Sequence, residues 1–412
     1  MQLSVYPSTN LTGYEHTLNT SNVNWLTNNA LFGEYNPSSF FNLPVKSLDN
    51  EQYIFPIRLT SSMIRNSKFD NFYFKIPNNV VLDVKNNKCK IIFDYSIEFF
   101  NVSHNPIDYT HQSILNTMSR YGLTKNDVIL ITGDYNPQQP SEYSIVTFSI
   151  IWSWINTPDR LWVESQLSNI NDLKHRPKKI LTFMRKPRPH RVAMAQFIYN
   201  NNFLDTNITT FPNLKEAQKE SKMPKSSLAG EVVEQLKKEN NKLLDSLPWV
   251  YDIENLWSTE AYIQMKAVGM LPKEAFEQTY ISCVSESSVD YTVGVPELDL
   301  SEKSILPATR LHPFIIHGQQ GTLAKLKEFG LKTFDRWWDE SYDSLTDSRH
   351  RFAHITKLYK KINAMSDQQL AQMLLEMRPI LEHNYYCIKD ILDNRKYCID
   401  FNNKVASLFY LK

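Results

Sequence analysis

Short apolar runs alternate with helix-spaced stretches through the first half of the chain, and this alternation limits the fold more than any other feature. KCKIIFDYSIEFF (88–100) is apolar until it ends in an acid and two aromatics. HQSILNTMSRYGL (111–123) spaces its apolar residues at helical intervals and carries a glycine near its end. NDVILITGD (126–134) and IVTFSIIWSWI (145–155) are apolar again, and YIFPIRLT (53–60) and FYFKIP (72–77) precede them. A strand without polar alternation is buried on both faces, and a helix between two such strands joins them in parallel. The order predicts an α/β domain. It resumes beyond the polar stretch LSNINDLKHRPKK (167–179) with the strand KKILTFMRK (178–186), a Pro-Arg-Pro turn and a helix over 190–205.

At 412 residues the chain exceeds one ordinary core, so two domains are expected. We place them at 1–170 and 171–380, with a charged helical insertion at about 213–250 and a helical tail over 381–412. Forty-five Lys and Arg against 44 Asp and Glu leave a net charge of +1. No global basic field points to nucleic acid or to an anionic membrane, so any polyanion site is local. The scattered cysteines Cys89, Cys283, Cys387 and Cys398 lack metal-ligand spacing and read as reduced thiols. With no apolar leader and no apolar run of membrane-spanning length, the sequence predicts a cytoplasmic protein. Neither a GxGxxG nor a P-loop pattern is present.

Three clusters carry candidate chemistry. The turn MRKPRPHR groups Arg185, Arg188 and Arg191, with Lys186 and His190, between a strand and a helix. Guanidiniums at a helix N-terminus suit a diphosphate, because free N–H groups and the helix dipole add to their charge. A solvated basic turn and a DNA-phosphate contact are the alternatives. In SCVSESSVD (282–290), Glu286 follows an apolar strand; it can take sugar hydroxyls or serve as an acid in a capped first turn. Ser301, Glu302 and Lys303 open a helix, and the apolar segment HPFIIHG follows. There Lys303 can hold a phosphate and Glu302 a ribose hydroxyl; an exposed helix start is the alternative. Trp337 and Trp338 read as structural or interdomain packing, with stacking on a base or sugar as the alternative, and His312 and His317 as packed or hydrogen-bonded residues, with donor contact as the alternative.

The order MRKPRPHR, TYISCVSES, SEKSILPATRLHPFIIHG, TLAKLKEFGLKTFDRWWDESYD resembles the α-1,3-fucosyltransferase-like glycosyltransferases, in particular the divergent members of tailed phages and giant viruses. The resemblance covers about residues 170–345. It implies the GT-B plan of two facing Rossmann-like domains, with Arg185, Arg188, Arg191, Glu286, Ser301, Glu302 and Lys303 on the nucleotide-sugar donor. It further implies inverting transfer without a bound metal, the donor resembling GDP-fucose. A first-domain carboxylate would deprotonate the acceptor hydroxyl; Glu98 is the preferred base, with Asp94 and Asp134 as rivals. The acceptor is expected to be a glycan. A phage enzyme glycosylating a hydroxymethylated DNA base is one alternative, and a non-catalytic virion-associated protein on a transferase fold is another.

Overall fold

A computed structural model describes residues 4–5, 53–58, 73–74, 76–95, 110–135, 137, 141–149, 152, 155, 157–184, 187–212, 238, 241–251, 273–290, 298, 300–394 and 396–410. Glu98, Arg185 and most of the 213–250 insertion lie outside these residues. The chain divides into two compact units: one of residues 1–152, 291–299 and 390–412, the other of residues 153–290 and 300–389. The expected α/β class with a helical C-terminal region is what the structure shows.

The first unit holds a parallel sheet of β1 (Ser4–Val5), β2 (Tyr53–Arg58), β3 (Cys89–Tyr95), β4 (Val128–Thr132) and β5 (Ser144–Thr147), paired in that order. Every residue of β3 and β4 is buried, as their unbroken apolar runs require. Helices α1 (Asn78–Lys85) and α2 (Thr110–Tyr121) are amphipathic. Val80, Val84, Ile114 and Met118 from these helices join Phe93 and Leu130 in one core. Each such side chain contributes about 1.5–3 kcal/mol when fully buried. Of the apolar run 145–155, the described strand covers only the start, β5.

The second unit begins with α3 (Arg160–Asn171), β6 (Lys178–Phe183), α4 (Pro189–Asn200) and β7 (Ile208–Thr210). It continues through α5 (Asn241–Asp245), α6 (Lys273–Glu277), β8 (Thr279–Ser285), α7 (Glu302–Thr309), β9 (Phe314–His317) and α8 (Thr322–Glu328). α4 stops five residues before the expected helix end, because Asn201 caps it and Asn202 turns into the left-handed region at φ 54°. The parallel strands lie in the order β7-β6-β8-β9. From β6 the chain steps to one side to make β7, then crosses to the other side for β8 and β9. The order therefore reverses between β6 and β8. In open α/β sheets, ligands bind outside the carboxyl ends of the strands at such a reversal. Among the described strands of the first unit, successive strands are neighbours throughout and no reversal occurs.

The helical region consists of α9 (Ser348–Ala364), α10 (Asp367–Asp393) and α11 (Lys396–Tyr410). Ile355, Leu358, Tyr359 and Ile362 recur at i, i+3, i+4 and i+7 and are buried. They form the apolar face of a helix that packs on β6 and β9. Arg351 of α9, 1% exposed, donates to the carbonyls of Val289, Gly318, Leu345 and Thr346. A buried guanidinium that ties four backbone carbonyls fixes the loops at the carboxyl ends of β8 and β9. No helix among the described residues is long and apolar enough to cross a membrane.

Candidate functional site

The carboxyl ends of β6 and β8 bring three of the predicted clusters together. α7 starts where the sequence expects, because Ser301 is its N-cap: the backbone is extended there and Oγ accepts the Lys303 amide. Ser301 and Ser304 are three residues apart at the helix start, so both hydroxyls lie on one face. That face meets Glu286, the first residue beyond β8.

The Glu286 carboxylate is enclosed, with no exposure. Oε1 accepts from the Ser301 amide at 3.1 Å and from the Ser304 hydroxyl. Oε2 accepts from the Ser301 hydroxyl at 2.5 Å and from the Ser287 amide at 2.8 Å. Burial pushes its pKa up, but the Lys303 charge, the two serine hydroxyls and the Ser287 amide together outweigh burial and hold it below the ordinary carboxylate value. The side chain is thus an anion that pins the first turn of α7 onto β8. Its oxygens already have four donors from the protein, whereas the sequence placed it against a donor hydroxyl.

Lys303 points to the rim. Its Nζ lies 3.1 Å from Ser301 Oγ and donates to Glu302 Oε1 at 2.7 Å, with 28% of the side chain exposed. Glu302 is 8% exposed. Lys303 also lines a cavity of about 40 Å³ with Phe183 at the end of β6 and Ser285 at the end of β8. That space suits an ordered water and not a nucleotide. Lys303 nonetheless stands at the sheet reversal.

α4 supplies the opposite wall. Arg188 is the N-cap and Pro189 takes the first helical position, where its fixed φ is preorganised and its missing N–H costs nothing. Among the described residues no side chain caps this helix, which leaves its terminus open to an anion. Arg188 is partly exposed. Arg191 is 2% exposed and donates to the carbonyls of Ser285, at 3.0 Å, and Glu286, at 2.7 Å. It braces the end of β8 from inside. Of the arginine cluster, the structure sets Arg188 at the surface and Arg191 in the wall.

His190 reaches the same carbonyl: Nε2 donates to Glu286 O at 2.9 Å, which fixes the Nε2–H tautomer and leaves Nδ1 as an acceptor. Burial, helped by Arg191 and Arg188, lowers its pKa to about 4. His317, at the end of β9, meets the His190 ring edge to face at 5.6 Å and lies against Phe352. Among the described residues neither nitrogen of His317 has a hydrogen-bond partner, and burial lowers its pKa to about 3. His312 is satisfied instead: Nδ1 lies 2.7 Å from Ser282 Oγ, and Nε2 lies 2.7 Å from the Thr279 carbonyl. His190 belongs to the basic turn the sequence singles out, and His317 to the histidines flanking the apolar segment; Ser304 is the member of this cluster that the sequence did not assign. The i, i+3 spacing of Ser301 and Ser304 was the available signal.

Gly318 follows β9, and a Cβ on it would stand 2.7 Å from Thr322 Oγ1 and 3.4 Å from Glu286 Cγ. Gly318→Ala is expected to cost about 1–3 kcal/mol by overpacking. A loss under about 0.5 kcal/mol in urea titration would show that the loop yields freely. The buried histidines set an acid limit. Their folded pKa values lie below the unfolded value of about 6.5, so the unfolded chain takes up protons first. The stability they contribute is complete above about pH 6.5 and falls as pH drops toward their folded values near 4 and 3. His317→Phe, which removes no hydrogen bond, should keep stability at pH 7 and flatten the fall between pH 6.5 and 4. An unchanged slope would contradict it.

In the first unit, Asp94 is the penultimate residue of β3, paired with Ile131 of β4, and is 3% exposed. Asp134 is 1% exposed; its Oδ1 accepts from the Leu298 amide at 3.1 Å, and Tyr135 N donates to Leu298 O at 3.2 Å. Asp134 therefore holds the chain where residues 291–299 join this unit. Glu98 lies outside the described residues.

No family model matches the chain, and no curated protein does. Among solved structures, a trehalose-6-phosphate synthase (OtsA) aligns over 85% of this chain and 73% of its own, at 9% identity and a TM-score of 0.35. AviGT4, a glycosyltransferase involved in avilamycin A biosynthesis, aligns over 83% of this chain and 85% of its own, at 9% identity and a TM-score of 0.27. At these scores neither likeness enters the functional reading, which rests on the chain's own residues.

Proposed function

We propose that the chain is a nucleotide-sugar-dependent glycosyltransferase whose second unit binds the donor diphosphate between Lys303 and the N-terminus of α4. One observation carries this reading: a rim lysine and an uncapped helix N-terminus with a partly exposed arginine stand at the carboxyl ends of β6 and β8, where the strand order reverses. Fixed cations and amides there meet the charge that develops on a departing diphosphate, and they need no reorganisation as it leaves. Arg188 and Lys303 are the cationic contacts in this proposal. Arg185, two residues beyond β6, is a third. Glu302 is assigned to the ribose, exchanging Lys303 for a ribose hydroxyl as the phosphate takes over the lysine. Glu286 serves from behind by fixing the turn that aims Lys303. Direct displacement at the anomeric carbon inverts configuration, and a first-unit carboxylate accepts the proton of the acceptor hydroxyl. We assign that base to Glu98, three residues past β3. The donor is a GDP-sugar of the GDP-fucose kind and the acceptor a glycan, on the resemblance of the sequence.

Isothermal titration with GDP, UDP, ADP and TDP tests the reading. At least one should bind with a heat that Lys303→Ala abolishes at the same concentrations. Absence of binding by all four would remove the proposal.

A further inference from the structure

At the other end of β6 lies a groove of about 510 Å³, within the ~300–1,000 Å³ of small-molecule sites. Leu173, five residues before β6, lines it. So does Met365, whose carbonyl accepts from Lys179 near the start of that strand. The groove is thus at the amino end of β6, while Lys303 stands at the carboxyl end. Its floor is apolar, made by Leu358, Ile362, Met373 and Trp338. Trp338 is 5% exposed, and its indole N–H has no hydrogen-bond partner among the described residues. Trp337 is partly exposed beside it. Its indole N–H donates to Glu376 at 3.2 Å, which fixes the ring, and the Arg336 guanidinium stands 5.4 Å from its centroid.

The rim is a row of amides. Gln368, Gln369 and Gln372 stand in the first turns of α10. Gln369 uses its oxygen to cap the helix, accepting from Ser366 N at 2.8 Å, so its NH₂ group is not the one engaged in the cap. Gln372 donates to Glu376 at a long 3.4 Å. The charges at the rim, Lys361 and Glu376, are of opposite sign.

From this we infer that the groove is a binding site for a neutral carbohydrate. A pyranose has an apolar C–H face to lay on a fixed indole and a girdle of hydroxyls that each donate and accept. A primary amide also donates and accepts, so a row of glutamines matches that girdle without choosing one polarity. An anion such as a nucleotide would need excess positive charge, and Glu376 offsets Lys361. A purely aliphatic ligand would leave the amides unmatched. The site is independent of the transferase reading: it lies at the opposite end of the strand and shares none of the residues assigned to the diphosphate.

Saturation-transfer NMR on the full chain tests it, with neutral methyl glycosides, their di- and trisaccharides and, as a separate arm, uncharged nucleosides. Transfer to at least one saccharide is expected. It should fall at least tenfold in Trp337→Ala and in the surface variant Gln368→Ala/Gln372→Ala, and persist in Lys303→Ala. The double variant alters only exposed or rim side chains, so it reads binding even if Trp337→Ala disturbs the loop. Transfer to no saccharide, transfer untouched by the groove variants, or a preference for nucleosides that the groove variants abolish would each overturn the assignment.

Discussion

Lys303→Ala should weaken nucleoside-diphosphate binding roughly 30- to 700-fold, which corresponds to about 2–4 kcal/mol at 1.4 kcal/mol per tenfold. The size follows from position. The ammonium is held at the rim by Ser301 Oγ at 3.1 Å and Glu302 at 2.7 Å, so little side-chain entropy is lost when a phosphate takes over. Removing it takes away a charge-assisted hydrogen bond at a reversal point of the sheet. The fold should survive, since the Ser301 cap and the four donors to Glu286 do not include Nζ. Lys303→Arg, which keeps charge and changes shape, should recover part of the loss. Titration calorimetry separates the outcomes: an affinity within threefold of the parent chain in Lys303→Ala would remove the lysine from the site.

Glu286→Ala is expected to be the costliest single change in the second unit, about 3–5 kcal/mol at pH 7 by urea titration. It leaves the Ser301 and Ser304 donors buried and the half-buried Ser287 amide without their acceptor, and opens a void under α7. Glu286→Gln should cost less, about 1–3 kcal/mol, because its amide accepts through one oxygen and presents an NH₂ to the remaining donors. The pH dependence identifies the charge. The folded pKa of Glu286 lies below its unfolded value, so the carboxylate contributes stability above the unfolded value and loses it as pH falls through the folded one. The gap between the parent chain and Glu286→Gln should therefore narrow from pH 7 toward pH 3. A constant gap, or a loss under 1 kcal/mol in Glu286→Ala, would mean that the carboxylate does not hold the turn.

Much of this was legible in the residues. The runs at β3 and β4 are largely apolar without alternation and buried throughout, and burial on both faces of a parallel sheet demands that. Ser301 announced a helix start because a hydroxyl before a charged first turn satisfies an otherwise unpaired amide. Orientation was not legible. Arg188 and Arg191 differ by less than one helical turn, yet one caps α4 at the surface and the other lies under it against Ser285 and Glu286. Only the partner strand decides which faces inward. Glu286 and Ser304 meet across 18 residues of chain, and no local periodicity records such a contact. The strand order β7-β6-β8-β9, which locates the site, comes from long-range pairing. A sequence of elements leaves that order open among the arrangements that right-handed crossovers allow.

The most direct measurement is turnover. GDP-, UDP-, ADP- and TDP-sugars, GDP-fucose among them, would be incubated with the chain and a mixture of glycan acceptors, and free nucleoside diphosphate followed over time. Release from at least one donor is expected, dependent on acceptor and lost in Lys303→Ala. Release from none of them, or release that Lys303→Ala leaves intact, would contradict it.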